Sequence, residues 1–219
     1  MTETTVFDVI EKGSPQGLAL LLKDDSGLAS VRNDVGVSSV LYSCYMRKPE
    51  MTECLLEHGN LTLDVFDASA LGDLDRLIEL ALEDPDCVHK QARDGFFPLH
   101  LACFFANTET ASFLIAQGVD TNALSGAPMN LRPLHSAVAV SNFETARLLL
   151  QHGANPNEAQ RAGWTPLHSA ATHGDLELAR LLLEHGANPA SVAEAGKTPA
   201  DLARDGGNAE LAKLLSGAS

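Results

Sequence analysis

The stretch Gly163–Pro189, GWTPLHSAATHGDLELARLLLEHGANP, decides how the chain is built. Thr165 has the hydroxyl to cap a helix, and Pro166 suits the first helical position, where a missing N–H would be unpaired anyway. Leu167, Ala170 and Ala171 give this first helix a thin apolar face. Gly174-Asp175 ends it and restarts the chain. A second helix then carries Leu178, Leu181 and Leu182 at helical spacing until Gly186 stops it. Two helices this short cannot bury such faces alone, so a copy is required on each side.

The copies are present. With Leu167 as anchor, the equivalent residues are Val6, Val40, Val65, Leu99, Leu134 and Ala200, at spacings of 34, 25, 34, 35, 33 and 33 along the series. A helix–turn–helix unit of about 33 residues is the ankyrin period. FPLHLACFFANTETASFLIAQGVDTN, RPLHSAVAVSNFETARLLLQHGANPN and TPLHSAATHGDLELARLLLEHGANP resemble ankyrin repeats over residues 93–190. KTPADLARDGGNAELAKLL is similar, and before residue 92 only Gly72-Asp73, the LLEHG at 55–59 and the apolar spacing survive. The resemblance implies an all-α solenoid of about seven stacked units with short finger hairpins. One array is expected over 1–219, with units near 4–33, 34–60, 61–92, 93–125, 126–160, 161–193 and 194–219. The end units should be capped by polar outer sides, and in the first, Leu20, Leu21 and Leu22 match Leu181 to Leu183. The 25-residue step from Val40 to Val65 leaves no room for a finger, so stacking should be bent or looser there. A two-residue insertion within GAPMNLR lengthens the finger before Leu134.

The totals restrict function. No apolar run is long enough for a membrane span. MTETTVFDVIEKG is acidic and helix-patterned, unlike a basic-then-apolar leader, so a cytoplasmic location is expected. By register Cys44, Cys54 and Cys103 fill the core and Cys87 falls in a loop; their spacing suits neither zinc nor a disulfide framework. The net charge is -14, and residues 64–122 hold 11 acidic against 3 basic side chains. Such a surface repels nucleic acid and anionic lipid and favours a basic partner.

The eight histidines invite a metal or catalytic reading that register dissolves. His100, His135 and His168 follow the same Pro-Leu, where in ankyrin repeats the imidazole bonds between units. His58, His152 and His185 precede the glycine ending the second helix, where the dipole favours a cation. Histidines one unit apart cannot share a metal at about 2 Å per bond, so neither metal nor cofactor is expected. No GxSxG, GxxxxGK[ST], HExxH or GxGxxG occurs, and no catalysis is expected.

The ankyrin resemblance implies a partner-binding concave side made of finger tips and the exposed ends of inner helices. Those positions hold Tyr45, Met46, Leu71, Phe104, Phe105 and His173, and the finger position of Trp164 gives Phe96 and Leu131. With aromatics at 5% of the chain, their convergence on one face marks an interaction site. The expected partner is a protein or peptide, steered if basic by Asp84, Asp86 and Asp94, and bound by a monomer. A different class is an inhibitor or immunity-type regulator that binds a basic enzyme through the acidic face. Asn122, with Leu114 and Asp120 upstream, resembles the asparagine that hydroxylases modify in ankyrin fingers.

Overall fold

Short apolar helices punctuated by Gly and Asp fold, in a computed structural model, into a row of helix pairs. The structure describes residues 5–126, 128, 130–194 and 196–217. Thr4, the expected start of the first unit, and part of the GAPMNLR insertion lie outside these. Among the described residues there are fourteen α-helices, three short 3-10 turns and no β-strand beyond two isolated bridges. The pairs are α1 (Val6–Lys12) with α2 (Pro15–Asp24), α3 (Ser39–Tyr45) with α4 (Pro49–His58), and α5 (Val65–Leu71) with α6 (Leu74–Glu83). They continue with α7 (Pro98–Phe104) and α8 (Thr108–Ala116), α9 (Pro133–Ala139) and α10 (Phe143–Gln151), α11 (Pro166–His173) and α12 (Leu176–Glu184), α13 (Pro199–Asp205) and α14 (Ala209–Gly217). Each first helix packs on the next first helix from α1 to α13; among second helices α2 packs on α4 and the row resumes from α6 to α12. All seven anchor residues, Val6 to Ala200, are buried.

The turn inside each pair needs a left-handed residue. Gly13, Gly72, Gly174 and Gly207 supply it with φ between 67° and 76°. In the same register Arg47, Ala106 and Ser141 take φ of 53°, 61° and 52°, where a Cβ costs about 1–2 kcal/mol. The following residue then caps the second helix: Ser14, Asp73, Asn142 and Asp175 each accept a backbone N–H from the first turn. Thr165 departs from expectation. Its hydroxyl meets His168 Nδ1 at 2.8 Å instead of capping the α11 backbone.

The first pair also differs from its expected register. Leu18 and Leu22 are buried while Leu20, aligned with Leu181, is 64% exposed, so α2 buries a face displaced by one residue. The expected polar outer side is therefore interrupted by a leucine. At the other end Arg204 and Lys213 are exposed and give the last unit a polar outer side. Cys87, expected in a loop, is buried within the 3-10 turn Pro85–His89, where it packs with Val88 under α6 and α7.

The core is divided. One buried cluster runs from Val65 to Leu215 and another from Val6 to Leu55, with no buried residue in common. They part at the 25-residue step. Gly59 has φ -86°, so the chain does not turn back into a hairpin; a Cβ there would approach that of Ala29 to 2.4 Å. Asn60 instead lies beside the Ser26–Ser30 turn, its N–H donating to Ser26 O at 3.2 Å and its carbonyl accepting from Ser30 Oγ at 2.9 Å. A third cluster of Val37, Leu41, Ala70 and Leu101, ringed by Tyr42, Tyr45, Phe66, Phe96 and Phe105, bridges the divide.

Candidate functional site

Polar side chains tie the regular pairs together. His168 Nε2 reaches Lys197 O of the next finger at 3.2 Å, while its Nδ1 accepts the Thr165 N–H at 3.2 Å. His100 Nε2 makes the equivalent contact to Leu131 O at 3.1 Å. Burial favours the neutral ring and pushes His100 and His135 down to about 4. His58, His152 and His185 direct Nδ1 at the carbonyl four residues back, at 3.2, 2.9 and 2.9 Å, closing the ends of second helices. Asn122 is occupied too: its Nδ2 donates to Gly153 O and its Oδ1 accepts the Asn155 N–H, both at 2.8 Å. These residues hold the frame.

Where the first helices end, a groove of about 860 Å³ passes along the pairs from α3–α4 to α11–α12. Leu71, Phe104, Phe105 and Val140 give it apolar walls, and Arg47, Glu53 and His173 stand at its polar margin. On the finger side a slot of about 90 Å³ opens between Tyr45, Phe96, Leu101, Phe104 and Leu131. Phe104 borders both cavities. Its ring meets Phe105 edge-on at 5.2 Å, and Phe105 packs on Tyr45 at 5.8 Å. The Tyr45 hydroxyl donates to Asp94 Oδ2 at 3.1 Å; burial and this neighbouring carboxylate raise its pKa. Cys44, at the groove wall, is pushed up to about 11 by burial, so it remains a thiol at neutral pH.

Of the residues singled out in the sequence, Leu71, Phe104, Phe105 and His173 meet in the groove and Tyr45, Phe96, Phe104 and Leu131 in the slot. Tyr45, Phe96 and Phe105 also belong to the cluster bridging the core, so packing claims part of their surface. Met46 is 39% exposed and borders neither cavity. Trp164 is also apart: its Nε1 donates to Ser169 Oγ at 2.9 Å and its ring lies 5.3 Å from His168. Asp84 caps the 3-10 turn after α6 and Asp86 lies within it, with Asp84 paired to Lys90. Neither acid borders the groove or the slot, and Asp94 is held by Tyr45 and the Phe96 N–H. Register overlooked Arg47, Ala106 and Ser141, all on the groove. Their signal was visible: each replaces the turn glycine of the other pairs.

Among the described residues no three His, Cys, Asp or Glu side chains converge to hold a metal ion, and no helix is long and apolar enough to cross a membrane. A family model described as an ankyrin repeat matches residues 94–126, and one for ankyrin repeats in many copies matches 134–183 and 167–215. Together they cover more than half of the chain. The protein belongs to the ankyrin-repeat family. No curated protein matches it. Ankyrin repeats generally mediate protein–protein interaction and are typically non-enzymatic. In this ankyrin protein the matched stretches begin at the regular pairs, whereas the groove also draws on α3, α4 and α5 before them.

Proposed function

We propose that this ankyrin protein is a monomeric cytoplasmic binding module that holds a partner peptide or domain surface in the groove and slot. The helix pairs before residue 94 act as divergent repeats of the same array, and the chemistry is recognition without turnover. One observation carries the reading: Phe104 borders both cavities yet belongs to none of the buried clusters. An aromatic ring that the core does not need, between an apolar slot and a groove with charged margins, has the character of an interface hot spot.

The test is a peptide-display selection against the intact chain, followed by affinity measurement on Phe104→Ala. Selected peptides should lose about 2 kcal/mol, roughly 30-fold in Kd, on Phe104→Ala while its melting temperature stays near wild type. Peptides that bind both proteins equally would remove the groove from the interface. A second reading, an inhibitor or immunity-type regulator bound to a basic enzyme, is favoured by the 11 acidic against 3 basic residues over 64–122. Reversing Asp84 and Asp86 to Lys would then slow association and flatten its salt dependence, leaving Phe104→Ala without effect.

A further inference from the structure

Beside the small aliphatic cluster of Val37, Leu41, Ala70 and Leu101, the divide between the two cores is crossed by polar and aromatic contacts. Arg32 Nη2 reaches Asp64 Oδ2 at 2.5 Å, from the hairpin after the first pair to the cap of α5. Ser38, the cap of α3, donates its hydroxyl to Asp67 Oδ1 on α5. Tyr45 and Phe105 stack across the same seam. Asp67 is the unusual member: its residue is 3% exposed, and its nearest carboxylate, Asp64, repels it. A buried aspartate without a cation of its own disfavours the arrangement that buries it. Separating α1–α4 from α5 would take the Ser38 hydroxyl away from that carboxylate and open its α3 side to water, while its Oδ2 keeps the Asp64 N–H at 3.4 Å.

We propose that the seam between α4 and α5 is a proton-operated latch: the α1–α4 block docks more firmly on the rest of the array when Asp67 is protonated. The groups acting on Asp67 are Asp64 beside it on the cap of α5, Arg32 from the preceding hairpin, and Ser38 and Cys44 from α3. From α6 and α7, which also pack on α5, no charged group acts on it. Burial and Asp64 together lift the Asp67 carboxyl to about 6 in the docked form. In the open form it returns toward the ordinary aspartate value near 3.9. The docked form therefore takes up the proton first as pH falls, and docking tightens between about pH 7 and pH 4. Because the groove takes walls from both sides of the seam, the latch would also set its shape; that consequence rests on the binding reading above.

The latch itself needs no partner and is tested on the intact free chain by native-state hydrogen exchange with mass spectrometry. Protection, corrected for intrinsic exchange, is compared for α3–α4 and for α11–α12 at pH 7.5 and 5.5. With Asp67 at about 6 when docked, the opening equilibrium of α3–α4 should fall about fourfold across this range. Asp67→Asn, which keeps an acceptor for Ser38 and cannot titrate, should remove the change. An unchanged or rising opening equilibrium in wild type, or the same fall in Asp67→Asn, overturns the latch. If Asp67→Asn does not fold, a full wild-type titration decides: a midpoint near pH 6 confined to α1–α4 supports it, and any other course overturns it. Failure here leaves the groove reading standing, because no ligand takes part.

Discussion

The two ends of the array solve the same stacking problem with different chemistry. From α7 onward neighbours are joined by repeated polar links: His100 and His168 reach the next finger, and Asn122 and Asn157 reach the carbonyls of Gly153 and Gly186. Before α7 the position of His168 is occupied by Phe7, Leu41 and Phe66. Leu41 and Phe66 duly pack into the aromatic cluster that spans the divided core. The histidine is kept in all three regular pairs, yet only His100 and His168 make the link and His135 Nε2 is buried without a hydrogen-bond partner; where an apolar residue replaces it, the interface becomes individual. A repeat array is a chain of nearest-neighbour contacts, so one altered link can separate it into blocks that open independently.

That contrast can be broken most directly in the core. Leu167→Ala removes a fully buried side chain from the larger cluster and should cost about 2–5 kcal/mol. In calorimetry the loss should fall on the α5–α14 block, whereas Leu55→Ala should lower only the α1–α4 transition. A single transition shifted equally by both would mean that the divide is not a thermodynamic one.

Acid sharpens the contrast from the other side. His100 and His135 are held at about 4 when folded and return to about 6.5 when unfolded, so the unfolded chain binds more protons in that window. Their stabilising contribution is complete above pH 6.5 and is lost as pH falls toward 4, up to about 3 kcal/mol for each imidazole. Asp67 has the opposite sign. Urea midpoints measured from pH 7 to 4.5 should therefore fall for the α7–α14 helices, and His100→Gln should reduce the slope.

The smallest effects lie in the turns. Gly174→Ala places a Cβ 2.6 Å from Asn208 Nδ2 at φ 70° and should destabilise by about 1–2 kcal/mol. Ala106→Gly should instead stabilise by about 0.5–1 kcal/mol, since it relieves φ 61° at an exposed site. The neighbours differ accordingly. Asn107 faces Gly72 and donates to Ser69 O and Ala70 O at 3.0 and 2.8 Å, whereas Asn142, its equivalent in the next pair, donates to Thr108 Oγ1 at 3.2 Å. Shifts of opposite sign in denaturant midpoint, the larger for Gly174→Ala, would confirm that the same turn is relaxed in one pair and strained in another.

Much of this was legible in the residues because register carries direction: an offset from Leu167 predicts which side chains are buried, and all seven anchors comply. The missing finger at Gly59 was also readable, from length alone. What register could not reveal was the neighbour's contribution. Trp164 occupies a finger position but turns to Ser169 and His168, and Asp94 is taken up by Tyr45 from two pairs away. The displaced face of α2 was hidden for a related reason, since alignment assumes a pair on each side and none precedes it among the described residues. Periodicity reports the average brick; the joints depend on what stands opposite.

The lone tryptophan carries a practical consequence. Trp164 sits in the hairpin ahead of α11, well inside the larger block, and the other aromatic reporters of the first two pairs are tyrosines 42 and 45. Emission excited at the indole band will watch one side of the molecule only. A melt followed in that way can trace a clean sigmoid after the opposite side has already come apart, so ellipticity has to be recorded alongside it.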